Sequence, residues 1–356
     1  MEHSKAIPAF VEGNTVTGEV RLDLESDPIQ TVVLSLKGQV ITGVTPHEMY
    51  TFIDVPTTLW SRSMGDPRNP GSASNETKWT EKLRGQYVWP FSISVPPTVS
   101  LRDEVFRLPP TFFERHTRAQ IEYEISVRFT RTKLRSDHKL STIINYMPLS
   151  RPGPFSYLRQ LAYQQNTAML GPDSDPEGWE TLPYVRTRGK LPGSTRSFEA
   201  KCRVRLSQCA GSDPLNRRNV ALSCQTPLYT RGSVIPCALV VECGDPEGLE
   251  LLSSPDVVVM RMRRSVRYHT GEKTAANFGD IPNKIVWKDE LDHSELATWW
   301  PAADRALEVD STDAIAVSAW KRMLKGEIHL RPDLITSSAI AHFRIEYSWC
   351  SFRLTL

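Results

Sequence analysis

Ile121-Glu122-Tyr123-Glu124-Ile125-Ser126-Val127-Arg128-Phe129 sets its apolar side chains in one phase and its polar side chains in the other. Successive side chains of a strand point to opposite faces, so this stretch reads as a β-strand with one face on a core and one in water. Such alternation suits an antiparallel sheet.

Moving upstream, the same signal recurs in Val16-Thr17-Gly18-Glu19-Val20-Arg21-Leu22-Asp23-Leu24, closed by a turn at Asp27-Pro28. Residues 29–41 are rich in β-branched side chains, and Gln86 to Val95 alternates until Pro96-Pro97. Downstream, Phe198, Ala200, Cys202, Val204 and Leu206 share a phase. Strands are also expected over 233–241, 257–268 and 342–349. The 26 prolines fit turns and edge strands better than helix interiors. The expected fold class is all-β.

Two echoes point to an internal duplication. Phe10-Val11-Glu12-Gly13-Asn14-Thr15-Val16 matches Tyr229-Thr230-Arg231-Gly232-Ser233-Val234-Ile235, and Ile121-Glu122-Tyr123 matches Ile345-Glu346-Tyr347. At 356 residues, two domains are expected. The boundaries are placed at 1–150 and 198–356, with a Pro/Gly-rich linker over 151–197. Within that linker, 157–170 is the best helical candidate, with Leu158, Leu161, Ala162 and Met169 partly at helical spacing. Long loops are expected over 61–80 and 269–301, the second carrying Trp287, Trp299 and Trp300.

A net charge of +2 gives no reason to expect nucleic acid as a partner. The N-terminus shows no basic segment followed by an apolar run, and no stretch of 18 apolar residues occurs, so neither a secretory signal nor a membrane span is expected. Cys202, Cys209, Cys224, Cys237, Cys243 and Cys350 therefore read as reduced, buried thiols of a cytoplasmic protein. His269-Thr270-Gly271-Glu272-Lys273-Thr274 imitates a zinc-finger linker, but no cysteine or histidine pair of metal spacing frames it. No metal and no cofactor are expected. Nucleophile-elbow, P-loop, dinucleotide and His-Glu-x-x-His motifs are all missing from the sequence, so a binding protein is expected and not an enzyme.

Phe10-x-x-Gly13-x-x-Val16-x-Gly18-x-Val20-x-Leu22 resembles the opening strands of arrestin amino-terminal domains. Val32 to Gly38, Trp89 to Pro96, Leu108-Pro109-Pro110-Thr111-Phe112 and Ile121 to Val127 follow in the same order. Residues 8–148 carry most of the resemblance; 228–243 and 341–354 resemble arrestin carboxy-terminal domains more loosely. The linker and Leu158-Arg159-Gln160-Leu161-Ala162-Tyr163 are similar to fungal arrestin-like proteins. The resemblance implies two antiparallel β-sandwiches of arrestin, immunoglobulin-like, type. It also implies an adaptor that binds cytoplasmic tails of membrane proteins, works in endocytosis, and is recruited to the plasma membrane or endosomes. Fungal members engage a WW-domain ubiquitin ligase through Pro-Pro-x-Tyr. This sequence has no such motif; Pro109-Pro110-Thr111-Phe112 comes nearest and lacks the hydroxyl. A second reading is a structural subunit of a retromer-like sorting complex, and a third is a secreted β-sandwich recognition module.

Among candidate sites, Arg261, Arg263 and Arg267 share one phase of the strand expected at 257–268, opposite Val258, Met260, Met262, Val266 and Tyr268. Guanidinium forks match phosphate and carboxylate geometry, so this stripe is a candidate for phosphorylated tails, acidic ligands or anionic lipid. Arg128, Arg131, Lys133 and Arg135 form a second basic run, read as a solvated face.

Overall fold

A computed structural model describes residues 7–68, 79–131, 136–149, 152–191, 193–208, 229–270, 286–302, 307–309, 319–349 and 353–354. The chain is mostly β and divides into two compact units. One comprises Met1–Leu149, Val266–Glu290 and Ser338–Ile345; the other comprises Ser150–Ser265, Leu291–Ser337 and Glu346–Leu356. Each unit draws on segments that are not contiguous in sequence.

In the first unit the strands are β1 (Ala9–Val11), β2 (Thr15–Asp27), β3 (Ile29–Ile41), β4 (Met49–Ser61), β5 (Leu83–Ser94), β6 (Thr98–Leu101), β7 (Glu104–Arg107), β8 (Gln120–Arg131) and β9 (His138–Met147). One sheet runs β1-β9-β8-β3-β4; β2 pairs with β5, and β6 with β7. The alternation read in the sequence decides which faces are buried. Ile121, Tyr123, Ile125, Val127 and Phe129 of β8 join Val32, Leu34, Leu36 and Val40 of β3 in the core. The smaller sheet contributes Val16, Val20, Tyr87, Trp89 and Ile93. Removing each such side chain from water contributes about 1.5–3 kcal/mol. Tyr123 packs against Phe52 and Tyr146, with ring centroids 5.6 and 5.2 Å away, and its hydroxyl donates to the carbonyl of Pro109 at 2.7 Å. Its burial is therefore paid with a satisfied polar tip.

The expectation of purely antiparallel sheets needs correction at β1, which pairs with β9 in parallel. Strands so far apart in sequence need no hairpin, and the amide of Asn145 donates to the carbonyl of Pro8 at 2.8 Å.

The second unit opens with helix α1 (Tyr157–Gln164), followed by β10 (Trp179–Thr181), β11 (Val185–Lys190), β12 (Ser197–Ser207), β13 (Val234–Cys243) and helix α2 (Pro246–Leu252). The remaining strands are β14 (Val258–Val259), β15 (Arg261–Thr270), β16 (Val286–Pro301), β17 (Leu307–Val309), β18 (Ala319–His329), β19 (Ser338–Ile340), β20 (Phe343–Trp349) and β21 (Arg353–Leu354). Several of these contribute residues to the first unit, among them the β19–β20 hairpin from Ser338 to Ile345. In the second unit β12, β13, β18 and β16 are neighbours in that order, and β10 and β11 both lie on the outer edge of β12. Phe198, Cys202, Val204, Leu206, Leu239, Val241, Leu324, Ile328 and Trp299 form its core.

Helix α1 ends well before residue 170. The amide of Thr167 donates to the carbonyl of Ala162 while Asn166 turns left-handed at φ 51°, a conformation Asn tolerates as a helix stop. The long loop expected over 269–301 is also corrected: β15 runs to Thr270 and Val286–Pro301 is a strand, with Trp299 buried and Trp300 exposed. Residues 271–285, and 69–78 within the other expected loop, lie outside the described residues. The same holds for Lys133 and Arg135 and for Cys209, Cys224 and Cys350. Cys202, Cys237 and Cys243 are free and buried. Among the described residues no helix is long and apolar enough to cross a membrane.

Candidate basic binding edge

Strands β11 and β12 form a hairpin whose outer face is cationic. Arg186, Arg188 and Lys190 project from β11, and Lys201 and Arg203 from β12; all are exposed. The opposite phase of β12, Phe198, Ala200, Cys202 and Val204, is buried. Strand alternation thus separates charge from core residue by residue. Behind the face, burial pushes the Cys202 thiol up to about 12, so it stays protonated and inert.

Three hydrogen bonds fix which backbone groups are used. The amide of Leu191 donates to the carbonyl of Arg196 at 3.1 Å, that of Leu182 to Val204 at 2.9 Å, and that of Gln208 to the carbonyl of Gly178 at 2.9 Å. Even-numbered β12 residues therefore bond towards β10 and β11. On the other side, the carbonyl of Glu199 accepts from the Cys243 thiol at 3.5 Å, as the alternation requires. Applied to the β11 register, the rule turns the backbone of Val185, Thr187 and Gly189 towards β12. The N–H and C=O groups of Arg186, Arg188 and Lys190 point the other way, to an edge that pairs with no strand among the described residues.

The charges on this face are only partly compensated. Glu199 lies 3.8 Å from Arg186 and 3.4 Å from Arg188, whose side chains remain 58% and 82% exposed. Arg186 stands directly across from Lys201, a like-charge pairing that costs stability. Lys201 faces Glu242 on its other side, and Arg203 faces Val240. Further along β12, Arg205 is bound to Asp173; that hydrogen bond holds the Asp173 carboxyl below the usual carboxylate range, with Lys321 adding to the effect. Surplus cation is thus concentrated on β11 and the start of β12.

A buried arginine secures the neighbouring helix. Arg159 of α1 is fully buried and donates to the Ser207 hydroxyl, to the carbonyl of Gln208 at 3.3 Å and to that of Gly178 at 2.8 Å. Its guanidinium also lies over the rings of Phe155 and Trp179, at 5.5 and 5.6 Å. Ser156 caps α1 by accepting from the amide of Arg159 and donates to buried Asp175 at 2.5 Å. Asp175 in turn accepts from the amide of Gly178.

The stripe read from the sequence is placed differently. Arg261 and Arg263 belong to the second unit and Arg267 to the first. Arg261 and Arg267 are exposed and Arg263 is half-buried; Ser265, in the same phase between Arg263 and Arg267, is buried and interrupts the row. Arg128 is exposed on β8, and Arg131 is paired with Asp27 at 3.2 Å.

Pattern alone hides the β11 half of this face, because 151–197 reads as linker by its Pro and Gly content while β12 reads as a strand. Its signal is legible nonetheless: Arg-x-Arg-x-Lys at 186–190 mirrors Lys-x-Arg-x-Arg at 201–205. The arrangement can hold carboxylates or phosphates through guanidinium forks while offering a backbone ladder that no strand takes up among the described residues. No protein-family model matches this chain, and no curated protein matches it either.

Proposed function

We propose that the chain is an arrestin-type adaptor that binds acidic segments in the cytoplasmic tails of membrane proteins, in endocytic and ubiquitin-dependent trafficking. One observation carries this reading: the β11 edge, where, among the described residues, alternate positions present both a backbone paired with no strand and an exposed cation. Added-strand recognition draws affinity from main-chain hydrogen bonds and selectivity from side chains of alternate residues. The like-charge contact between Arg186 and Lys201 supports the reading further, because a bound anion relieves a cost that the free protein carries.

The test is fluorescence anisotropy with labelled acidic tail peptides on the full chain. Binding is expected to weaken by about tenfold between roughly 0.05 and 0.5 M salt, as exposed charges are screened. It is expected to be lost in the double variant Arg186→Glu, Arg188→Glu. Salt-independent affinity, or a double variant that binds like the parent, refutes the assignment to this face.

A further inference from the structure

The geometry of β11 points to the ligand's own pattern: we infer that the edge takes an extended peptide, antiparallel, with acidic residues at every second position and apolar residues between. The inference rests on the proposed function and adds the register.

Arg186, Arg188 and Lys190 turn both their backbone groups towards the open edge and their side chains towards one face. In an antiparallel ladder, a residue that exchanges both its backbone bonds with a partner sits directly opposite that partner, with its side chain on the same face. Three incoming residues two apart therefore stand opposite the three cations, about 6.8 Å from one to the next, as the strand rise dictates. Acid at those positions neutralises Arg186, Arg188 and Lys190 in turn. The alternate ligand residues fall on the other face, beside Val185 and Thr187. Val185 is 42% exposed although its phase of the sheet is the apolar one. An apolar ligand side chain covers it, so the in-between positions are apolar. A contiguous acidic run, by contrast, places half its charges on the wrong face.

Edge cations also blunt unwanted strand pairing in many sheets. That role alone predicts no preference for acid spacing, and the experiment separates the two.

The probes are two labelled heptapeptides of one composition, Glu-Val-Glu-Val-Glu-Val-Glu and Glu-Glu-Glu-Glu-Val-Val-Val, titrated against the full chain. The alternating peptide is expected to bind about tenfold more tightly, from three aligned acid–base pairs where the block peptide aligns fewer. N-methylation of its Glu amides, which face β11, is expected to abolish binding, while N-methylation of its Val amides leaves it intact. The triple variant Arg186→Glu, Arg188→Glu, Lys190→Glu is expected to lose the preference. Equal affinity for both peptides, together with loss in the triple variant, overturns the register and leaves an acid-binding face. Failure of both peptides overturns the register and the proposed function together. Binding of phosphatidylserine vesicles that the triple variant loses, with neither peptide bound, overturns both in favour of a lipid surface.

Discussion

Replacing Arg159 with Met tests how the second unit holds its first helix. Two effects oppose each other. Burying a guanidinium costs several kcal/mol of desolvation, and Met escapes that cost while filling similar space between Phe155 and Trp179. Against this, Met leaves the carbonyls of Gly178 and Gln208 and the Ser207 hydroxyl without their donor. Each buried polar group so abandoned costs about 1–3 kcal/mol. Gly178 and Ser207 are themselves buried, so water cannot easily replace the donor. The acceptors win, and a net loss of about 3–5 kcal/mol is expected, typical of a broken buried network. For a unit of this size that is a fall in Tm of about 10 °C. Urea unfolding followed by tryptophan emission measures it, and hydrogen exchange should show the amides of α1 losing protection. Arg159→Lys, which keeps the charge without the fork, should fall between. A loss under about 1 kcal/mol, with α1 protection unchanged, refutes the reasoning: the three acceptors would not depend on this side chain.

Gly326→Ala should destabilise the second unit by about 2–3 kcal/mol in urea unfolding, because the added Cβ meets the Trp299 ring at 2.5 Å and the carbonyl of Thr298 at 2.6 Å. Native alkylation at pH 8 should leave Cys202, Cys237 and Cys243 unmodified, since burial raises all three thiols above their usual range; peptide mapping after brief iodoacetamide treatment checks this. His269 and His342 meet in the first unit with their Nδ1 atoms 3.0 Å apart. Burial lowers His269 from 6.5 to about 4, with His342 adding to it, and burial also lowers His342. As pH falls through that window the unfolded chain takes up protons that the folded pair refuses, so stability present above about pH 6.5 drains away towards pH 4. Unfolding free energies measured across this range should slope less steeply in a His269→Gln, His342→Gln double variant; an identical slope refutes the assignment.

Much of the fold was legible where one face of a strand meets water. β8 and β12 alternate so cleanly that period alone finds them, and their apolar phases are buried as expected; Ser126 of β8 and Ser207 of β12 are buried as well, which the alternation does not foretell. β16 escaped because Trp287-Lys288-Asp289-Glu290-Leu291-Asp292-His293 mixes charge into both phases, and its pairing with β18 supplies what the local pattern lacks. Helix α2 is only seven residues long, too short for a clear helical period; its start is marked by Asp245 accepting from the amides of Glu247 and Gly248, with Pro246 at the first helical position. The parallel partnership of β1 is a fact of long-range pairing that no local spacing encodes. At the candidate site the charges were in plain view, but their value lies in facing an open edge, which depends on the β11–β12 register. Arg159 gives the least warning of all, since a single arginine in a short helix looks like any solvated one.

The non-contiguous make-up of the first unit has a consequence for the ribosome. Its strands up to Leu149 leave the exit tunnel early, yet its last segment, Ser338–Ile345, is made about 200 residues later. At usual elongation speeds that is roughly 10–40 s during which the early strands exist without their final hairpin. Phe343, buried beside Phe112 with ring centroids 5.1 Å apart, is among the last core side chains to be supplied. A nascent chain stalled anywhere before residue 338 therefore displays an incomplete apolar core, and chaperones that bind exposed apolar surface are expected to engage it until the Ser338–Ile345 segment has emerged.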